Sequence, residues 1–278
     1  MKAANAMPLS DRKPRPSTIY GPVPSWRFGR SLGVDPILET STCSFNCIYC
    51  QLGSILRLTD ERRRFVCADQ VRRDLAGVEW SDVDVVTISG SGEPTLAANL
   101  DEIVAAVREA TDRPIHLLTN ATLMERAEVR RQVAGVDVIA CKLDAPDDAM
   151  LRLVNRPVAG ITLERIVAVI VALREEFGGR LLLQVMLMPA NIGQVERWAP
   201  LIERIRPHEI HLNTPRRPYP AEWRLESHGD HASEKFSGRN SRLRVISPQE
   251  AREAERALHE RTGLPVVSVY GGRETGRE

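Results

Sequence analysis

The run Thr42-Cys43-Ser44-Phe45-Asn46-Cys47-Ile48-Tyr49-Cys50-Gln51-Leu52-Gly53 sets three cysteines at Cys-x-x-x-Cys-x-x-Cys spacing. Three thiolates so close in sequence can hold three irons of a four-iron, four-sulfur cluster, which is ordinarily closed by four protein ligands. An iron left without a protein ligand is an open coordination position, the arrangement that separates catalytic metal sites from closed structural ones. Other readings of Cys43, Cys47 and Cys50 fit less well. A structural zinc site usually needs two Cys/His pairs, and Cys67 and His116 each stand alone, with no second ligand at metal-binding spacing. A disulfide framework is disfavoured by the odd count of 5 cysteines and by a basic N-terminus with no apolar segment behind it, unlike a signal peptide.

Working outward, strand-like and helix-like segments alternate, the pattern of parallel βα units. Strands are expected over 34–39, 83–89, 115–119, 136–143, 181–188 and 209–213, and helices over 50–56, 68–76, 100–110, 124–133, 163–177 and 194–205. In the segment 163–177, Ile166, Val169, Ile170 and Leu173 recur at helical spacing. Six such units predict an α/β fold, a partial (β/α)6 barrel with its ligand site at the C-terminal strand ends. The expected divisions are a flexible leader over 1–18, the barrel over 19–218, a loop over 219–242 and a small αβ appendage over 243–278. The Pro-, Gly-, His- and charge-rich stretch 215–240 reads as a mobile connection of the kind that serves as a lid.

A second constellation follows the second strand. Val85-Val86-Thr87-Ile88-Ser89 runs into Gly90-Ser91-Gly92-Glu93-Pro94-Thr95, where small residues let the backbone approach a ligand and Glu93 supplies an anionic acceptor. Later strands end in Asn120, Asp144, Asn191 and Asn213, which in a barrel converge on one cavity. Asn and Asp are equally common as turn and cap residues. Cys141 is expected to fill core volume.

The cysteine run, with Tyr49 directly before the third cysteine, resembles the signature of the radical S-adenosylmethionine superfamily, and Gly90-Ser91-Gly92-Glu93-Pro94 resembles its Gly-Gly-Glu-Pro segment, with Ser91 in place of one glycine. The resemblance implies a partial barrel of radical SAM type, a [4Fe-4S] cluster on Cys43, Cys47 and Cys50, and S-adenosyl-L-methionine chelated to the open iron. It implies cofactor contacts from Tyr49, Gly90, Ser91, Gly92 and Glu93, with Asn120, Asp144 and Asn191 as further candidates for the ribose, adenine or substrate. Taken together, the segments 20–35, 50–53, 89–95, 153–157 and 212–215 are similar to an iron–sulfur oxidoreductase-like branch grouped with wyosine-type tRNA-modifying enzymes. Enzymes of the 4-demethylwyosine type carry extra cysteines for a second cluster; here Cys67 and Cys141 are too few.

Composition limits the alternatives. Hydrophobic residues at 42% and charged residues at 27% describe an ordinary soluble globular chain, and no apolar run approaches the roughly 18 residues of a membrane span. A reducing cytoplasm suits an oxygen-sensitive cluster. Net charge is +1, yet up to Gly33 six Lys/Arg face one acid, Asp11. Basic groups recur at Arg62-Arg63-Arg64, Arg72-Arg73, Arg130-Arg131 and Arg216-Arg217, either solvated faces or contacts for a phosphate-bearing substrate. The expected function is reductive cleavage of S-adenosylmethionine and hydrogen abstraction from a substrate, with RNA as a candidate. An external electron donor of flavodoxin or ferredoxin type is implied, and Arg27, Arg30, Arg156, Asn213, Arg216 and Arg217 are candidate substrate contacts. The alternative is an iron–sulfur electron-transfer or binding protein without radical chemistry.

Overall fold

The apolar runs become strands of one sheet. The structure, a computed structural model, describes residues 16–38, 40–220 and 240–271. In chain order its elements are β1 (Ile19–Ser25), β2 (Gly29–Val34), β3 (Thr42–Cys43), β4 (Arg57–Leu58), α1 (Ala68–Leu75), β5 (Val85–Ile88), α2 (Leu100–Ala110), β6 (Ile115–Thr119), α3 (Ala127–Gln132) and β7 (Val138–Lys142). There follow α4 (Asp148–Val154), α5 (Leu163–Glu176), β8 (Arg180–Met186), α6 (Ala199–Ile205), β9 (Glu209–Asn213), β10 (Tyr219–Pro220), β11 (Asn240–Ser241), α7 (Pro248–Thr262) and β12 (Val266–Ser268).

The main sheet has the order β1-β2-β5-β6-β7-β8-β9-β12. Every neighbouring pair is parallel except β1 with β2. Strands β2 and β5 to β9 are the six strands of the expected partial barrel, curled into a half-barrel. All four residues of β5 are buried, as strands covered on both faces require. Helix α5 buries Ile166, Val169, Ile170 and Leu173, the face that its spacing predicts. Its first turn is capped by Thr162, whose hydroxyl accepts from the Arg165 backbone N–H at 3.3 Å. Under α6, the fully buried Trp198 donates its indole N–H to the Leu143 carbonyl at 2.9 Å, so its polar edge is satisfied.

Several expectations need correction. The first strand of the half-barrel is Gly29–Val34, not 34–39, because Asp35 Oδ1 accepts from the Ile37 and Leu38 N–H groups and folds the chain into a turn. No helix forms over 50–56; turn bonds from Cys50 N–H to Cys47 O and from Gly53 N–H to Cys50 O stand in its place. The helix expected over 194–205 begins as a 3-10 segment, Ile192–Trp198, before α6. Helix α4 was not anticipated, although Asp147 caps it by accepting from Met150 N–H at 2.7 Å.

The αβ character expected of 243–278 is present as α7 and β12, yet β12 pairs in parallel with β9 and extends the main sheet. The 243–246 segment is not a strand. The leader falls outside the described residues except for 16–18, where Thr18 is fastened to Asp74 by its N–H and hydroxyl at 2.8 and 2.6 Å. Of the stretch expected as a lid, 221–239 lies outside the described residues; β10 and β11 on its flanks pair antiparallel.

Candidate active site

The cysteine run is held from two sides. Toward the sheet, Thr42 N–H donates to Ser91 O at 2.9 Å and Glu93 N–H donates to Thr42 O at 3.0 Å, stitching β3 to the loop after β5. On the other side, Asn46 N–H donates to Asn155 O, Ile48 N–H to Val154 O and Val158 N–H to Ser44 O, each at 2.9 Å. The 154–158 segment, which begins at the last residue of α4, is therefore a brace for the thiol loop.

Cys43, Cys47 and Cys50 are free thiols that line one cavity of about 320 Å3 together with Gly90, Gly92 and Glu93. Burial pushes all three thiols up: Cys43 further through Glu93 and Cys47, and Cys47 to about 12 through Asp144, opposed by Lys142. Thiolates are the metal-binding form, so such a buried trio ionises together only where cationic metal offsets the charge. Donors already face the sulfurs: Phe45 N–H lies 3.4 Å from Cys43 Sγ, and Asn155 Nδ2 lies 3.4 Å from Cys47 Sγ. Among the described residues no three His, Cys, Asp or Glu side chains gather as a single metal ion would need. A group that offers each sulfur its own iron fits this donor set better than a lone zinc does.

The second loop is built for close approach. A Cβ on Gly92 would lie 1.7 Å from Thr42 O, and one on Gly90 would lie 2.2 Å from the Asp35 carboxyl carbon. Ser91 turns away from the cavity, its N–H and hydroxyl donating to Asp35 Oδ2 at 2.9 and 2.6 Å. Glu93 is buried, and burial raises its carboxyl. Its Oε1 accepts from Thr95 and Thr119, and its Oε2 accepts from Asn120 N–H at 2.8 Å. The latter oxygen retains acceptor capacity.

Of the other expected cofactor contacts, Tyr49 and Asn120 line the cavity. Asn120 Nδ2 donates to Ser44 Oγ at 2.8 Å, which positions the residue next to Cys43. Asp144 and Asn191 do not line it; both are consumed by structure. Asp144 accepts from the Tyr49 hydroxyl, from Asn155 Nδ2 and from Met186 N–H. Asn191 Nδ2 donates to the Asp144 and Met186 carbonyls, and its Oδ1 accepts from Met188 N–H.

The expected substrate contacts separate similarly. Arg27 and Asn213 line the cavity. Arg30 points outward, ion-paired to Asp82 at 2.7 Å and to Asp84 at 3.6 Å. Arg156 borders a different cleft, behind the cysteine loop. Arg216 stacks over Tyr270 and borders a second cavity of about 460 Å3, which shares Arg27, Asn213 and Arg217 with the first. Sequence reading passed over Lys142, Gln184 and Asn155. Gln184 interrupts the apolar run of β8, and that interruption is the signal that could have found it.

The chain is similar to known proteins over most of its length. The profile of the Radical SAM superfamily matches residues 37–201. A UPF0026 protein of Synechocystis sp. is 42% identical over 250 residues, 89% of this chain and 94% of that protein. A UPF0026 protein of Methanocaldococcus jannaschii is 33% identical over 72% of this chain and 64% of its own length. Among solved structures, Streptococcus suis SuiB bound to S-adenosylmethionine superposes with a TM-score of 0.57 at 14% identity, covering 84% of this chain. The chain spans 49% of SuiB, and that likeness speaks to the fold. The matched residues take in the thiol loop, the Gly90–Glu93 loop and most of the half-barrel, and the chain belongs to the radical SAM superfamily, enzymes that use a [4Fe-4S] cluster and S-adenosylmethionine.

Proposed function

We propose that Cys43, Cys47 and Cys50 hold the [4Fe-4S] cluster and that S-adenosylmethionine binds between it and the Gly90–Glu93 loop, for hydrogen abstraction from a substrate in the half-barrel. The observation that carries this reading is the convergence of three thiols and Glu93 on one cavity. When bound, the cluster and its cosubstrate supply a 5′-deoxyadenosyl radical through a single-electron reduction, with the electron drawn from an external donor of flavodoxin or ferredoxin type.

The chain's own residues bind and orient. Glu93 Oε2 can accept from an ammonium group, and Gly92 keeps the backbone close enough for that contact. Tyr49 is fixed from two directions, by its hydroxyl on Asp144 and by Lys142 Nζ 5.0 Å from its ring centroid, so it presents a rigid wall. Phe45, Leu52 and Leu118 make the rest of that wall apolar, which limits water near a reactive centre. No helix among the described residues is long and apolar enough to cross a membrane, and a reducing compartment such as the cytoplasm would preserve the thiols.

Anaerobic reconstitution with iron and sulfide, followed by reductant and S-adenosylmethionine, tests the reading. A loaded protein should release 5′-deoxyadenosine. Full cluster content with no 5′-deoxyadenosine, and with a cluster spectrum indifferent to S-adenosylmethionine, would favour an electron-transfer protein instead.

A further inference from the structure

Six buried side-chain atoms have no hydrogen-bond partner among the described residues, and four belong to Arg27 (Nε), His116 (Nδ1), Gln184 (Nε2) and His211 (Nδ1). These four cluster about the half-barrel lumen. Phe28, from the turn between β1 and β2, packs against the rings of His116 and His211 at 4.4 and 5.8 Å, and against Val138, Ala140 and Leu182. Gln184 lines the first cavity, and Arg27 lines both. Unpaired polar atoms in such a place are costly unless water or a ligand meets them.

Arg27 is the unusual member. Its guanidinium lies 5.6 and 5.3 Å from the ring centres of Trp26 and Phe28, and no acid among the described residues pairs with it. Burial, with the charge of Arg217 nearby, draws it down to about 10, so it remains a cation at neutral pH. Several outer arginines differ. Arg30, Arg62, Arg64, Arg72 and Arg130 each pair with an acid, at Asp82, Glu128, Glu102, Glu109 and Glu176. One arginine or more of three of the basic groups is thus matched by an acid outside, whereas Arg27 lines both cavities with no acid among the described residues paired to it. A half-buried cation with no acid beside it among the described residues carries a desolvation cost that a bound anion offsets.

We infer that the substrate is a small oxyanion, a carboxylate or phosphate compound, that ion-pairs with Arg27 in the wall shared by the two cavities and accepts a hydrogen bond from Gln184 Nε2. Guanidinium matches either anion in bidentate geometry. The inference deepens the radical-enzyme reading and rests on it for the identity of the ligand as substrate, while the binding itself is measured without turnover.

The test follows the melting temperature of the anaerobically reconstituted full chain at saturating S-adenosylmethionine, so that the cosubstrate's own carboxylate is already seated. Phosphate and acetate are titrated against chloride at equal ionic strength. One or both should raise the melting temperature saturably, with affinity at least about tenfold weaker in Arg27→Gln and unchanged in Arg30→Gln. Should Arg27→Gln fail to fold, Arg27→Lys keeps the charge, loses the fork and should bind roughly three- to tenfold more weakly.

The inference is overturned if neither anion exceeds chloride, or if the shift is indifferent to Arg27. It is also overturned if a tRNA mixture alone produces an Arg27-dependent shift, or if Arg27→Gln weakens S-adenosylmethionine binding instead. Iron content and the response of the cluster spectrum to S-adenosylmethionine, read on the same samples, show separately whether the cluster assignment has failed.

Discussion

Asn155 sets its side-chain amide 3.4 Å from the Cys47 sulfur and 2.8 Å from the Asp144 carboxylate. One residue thereby links the thiol loop to the group that fixes Tyr49. Replacement by alanine removes a donor to the sulfur and leaves Asp144 short of a partner in a buried place, a loss of about 1–3 kcal/mol. Asn155→Ala should lower cluster occupancy and shift its midpoint potential downward, since hydrogen bonds to sulfur favour the reduced state. Iron analysis and anaerobic redox titration check both.

Cys47→Ala should leave the reconstituted chain with little bound iron, whereas Cys67→Ser should load like the wild type, because Cys67 is exposed and outside the cavity. Equal loading of the two variants would remove the ligand assignment.

Ser91→Ala takes the hydroxyl from Asp35 Oδ2, a buried 2.6 Å bond, and should cost about 1–3 kcal/mol of stability. Cosubstrate affinity should change little, because the side chain faces Asp35 and not the cavity. Urea unfolding beside a binding titration distinguishes this from a direct cofactor contact, which would give the opposite pattern.

Gly92→Ala must move the chain, since its Cβ would sit 1.7 Å from Thr42 O. The bonds between Thr42 and the Ser91–Glu93 backbone would break, with loss of iron binding or of the fold. A variant that folds, loads iron and binds S-adenosylmethionine like the wild type would show that this close approach is dispensable.

His116 is drawn from 6.5 to about 4, first by burial, with Asp137 opposing and Arg180, His211 and Arg27 adding to the depression. The unfolded chain therefore binds the proton that the folded chain refuses. Stability from this site is complete above about pH 6.5 and falls as pH drops toward 4, by roughly 3 kcal/mol in all. Urea midpoints measured across that window should fall less steeply in His116→Gln than in the wild type.

The half-barrel and the thiol site were legible because each leaves a local mark. Apolar runs such as Val85–Ile88 read as buried strands, and three cysteines within one turn-rich loop need no tertiary knowledge. Asn191 and Asp144 misled because a strand-end amide or carboxylate has the same sequence signature whether it meets a ligand or caps its own backbone. Ser91 misled in another way, since the orientation of a loop side chain depends on Asp35, 56 positions earlier. The first strand was misplaced because Val34, Ile37 and Leu38 continue an apolar run through what the Asp35 side chain turns into a loop. That no acid among the described residues pairs with Arg27 is a fact about absent neighbours, and no reading of adjacent residues contains it.

The second cavity takes its walls from Trp26 and Phe28 near one end of the chain and from Val269 near the other. The thiol loop and its brace, by contrast, are complete by Val158. Contacts of such different span close at different entropic cost. A chain emerging from the ribosome can therefore assemble the thiol loop well before the second cavity exists, and the order of synthesis separates the formation of one from the closure of the other.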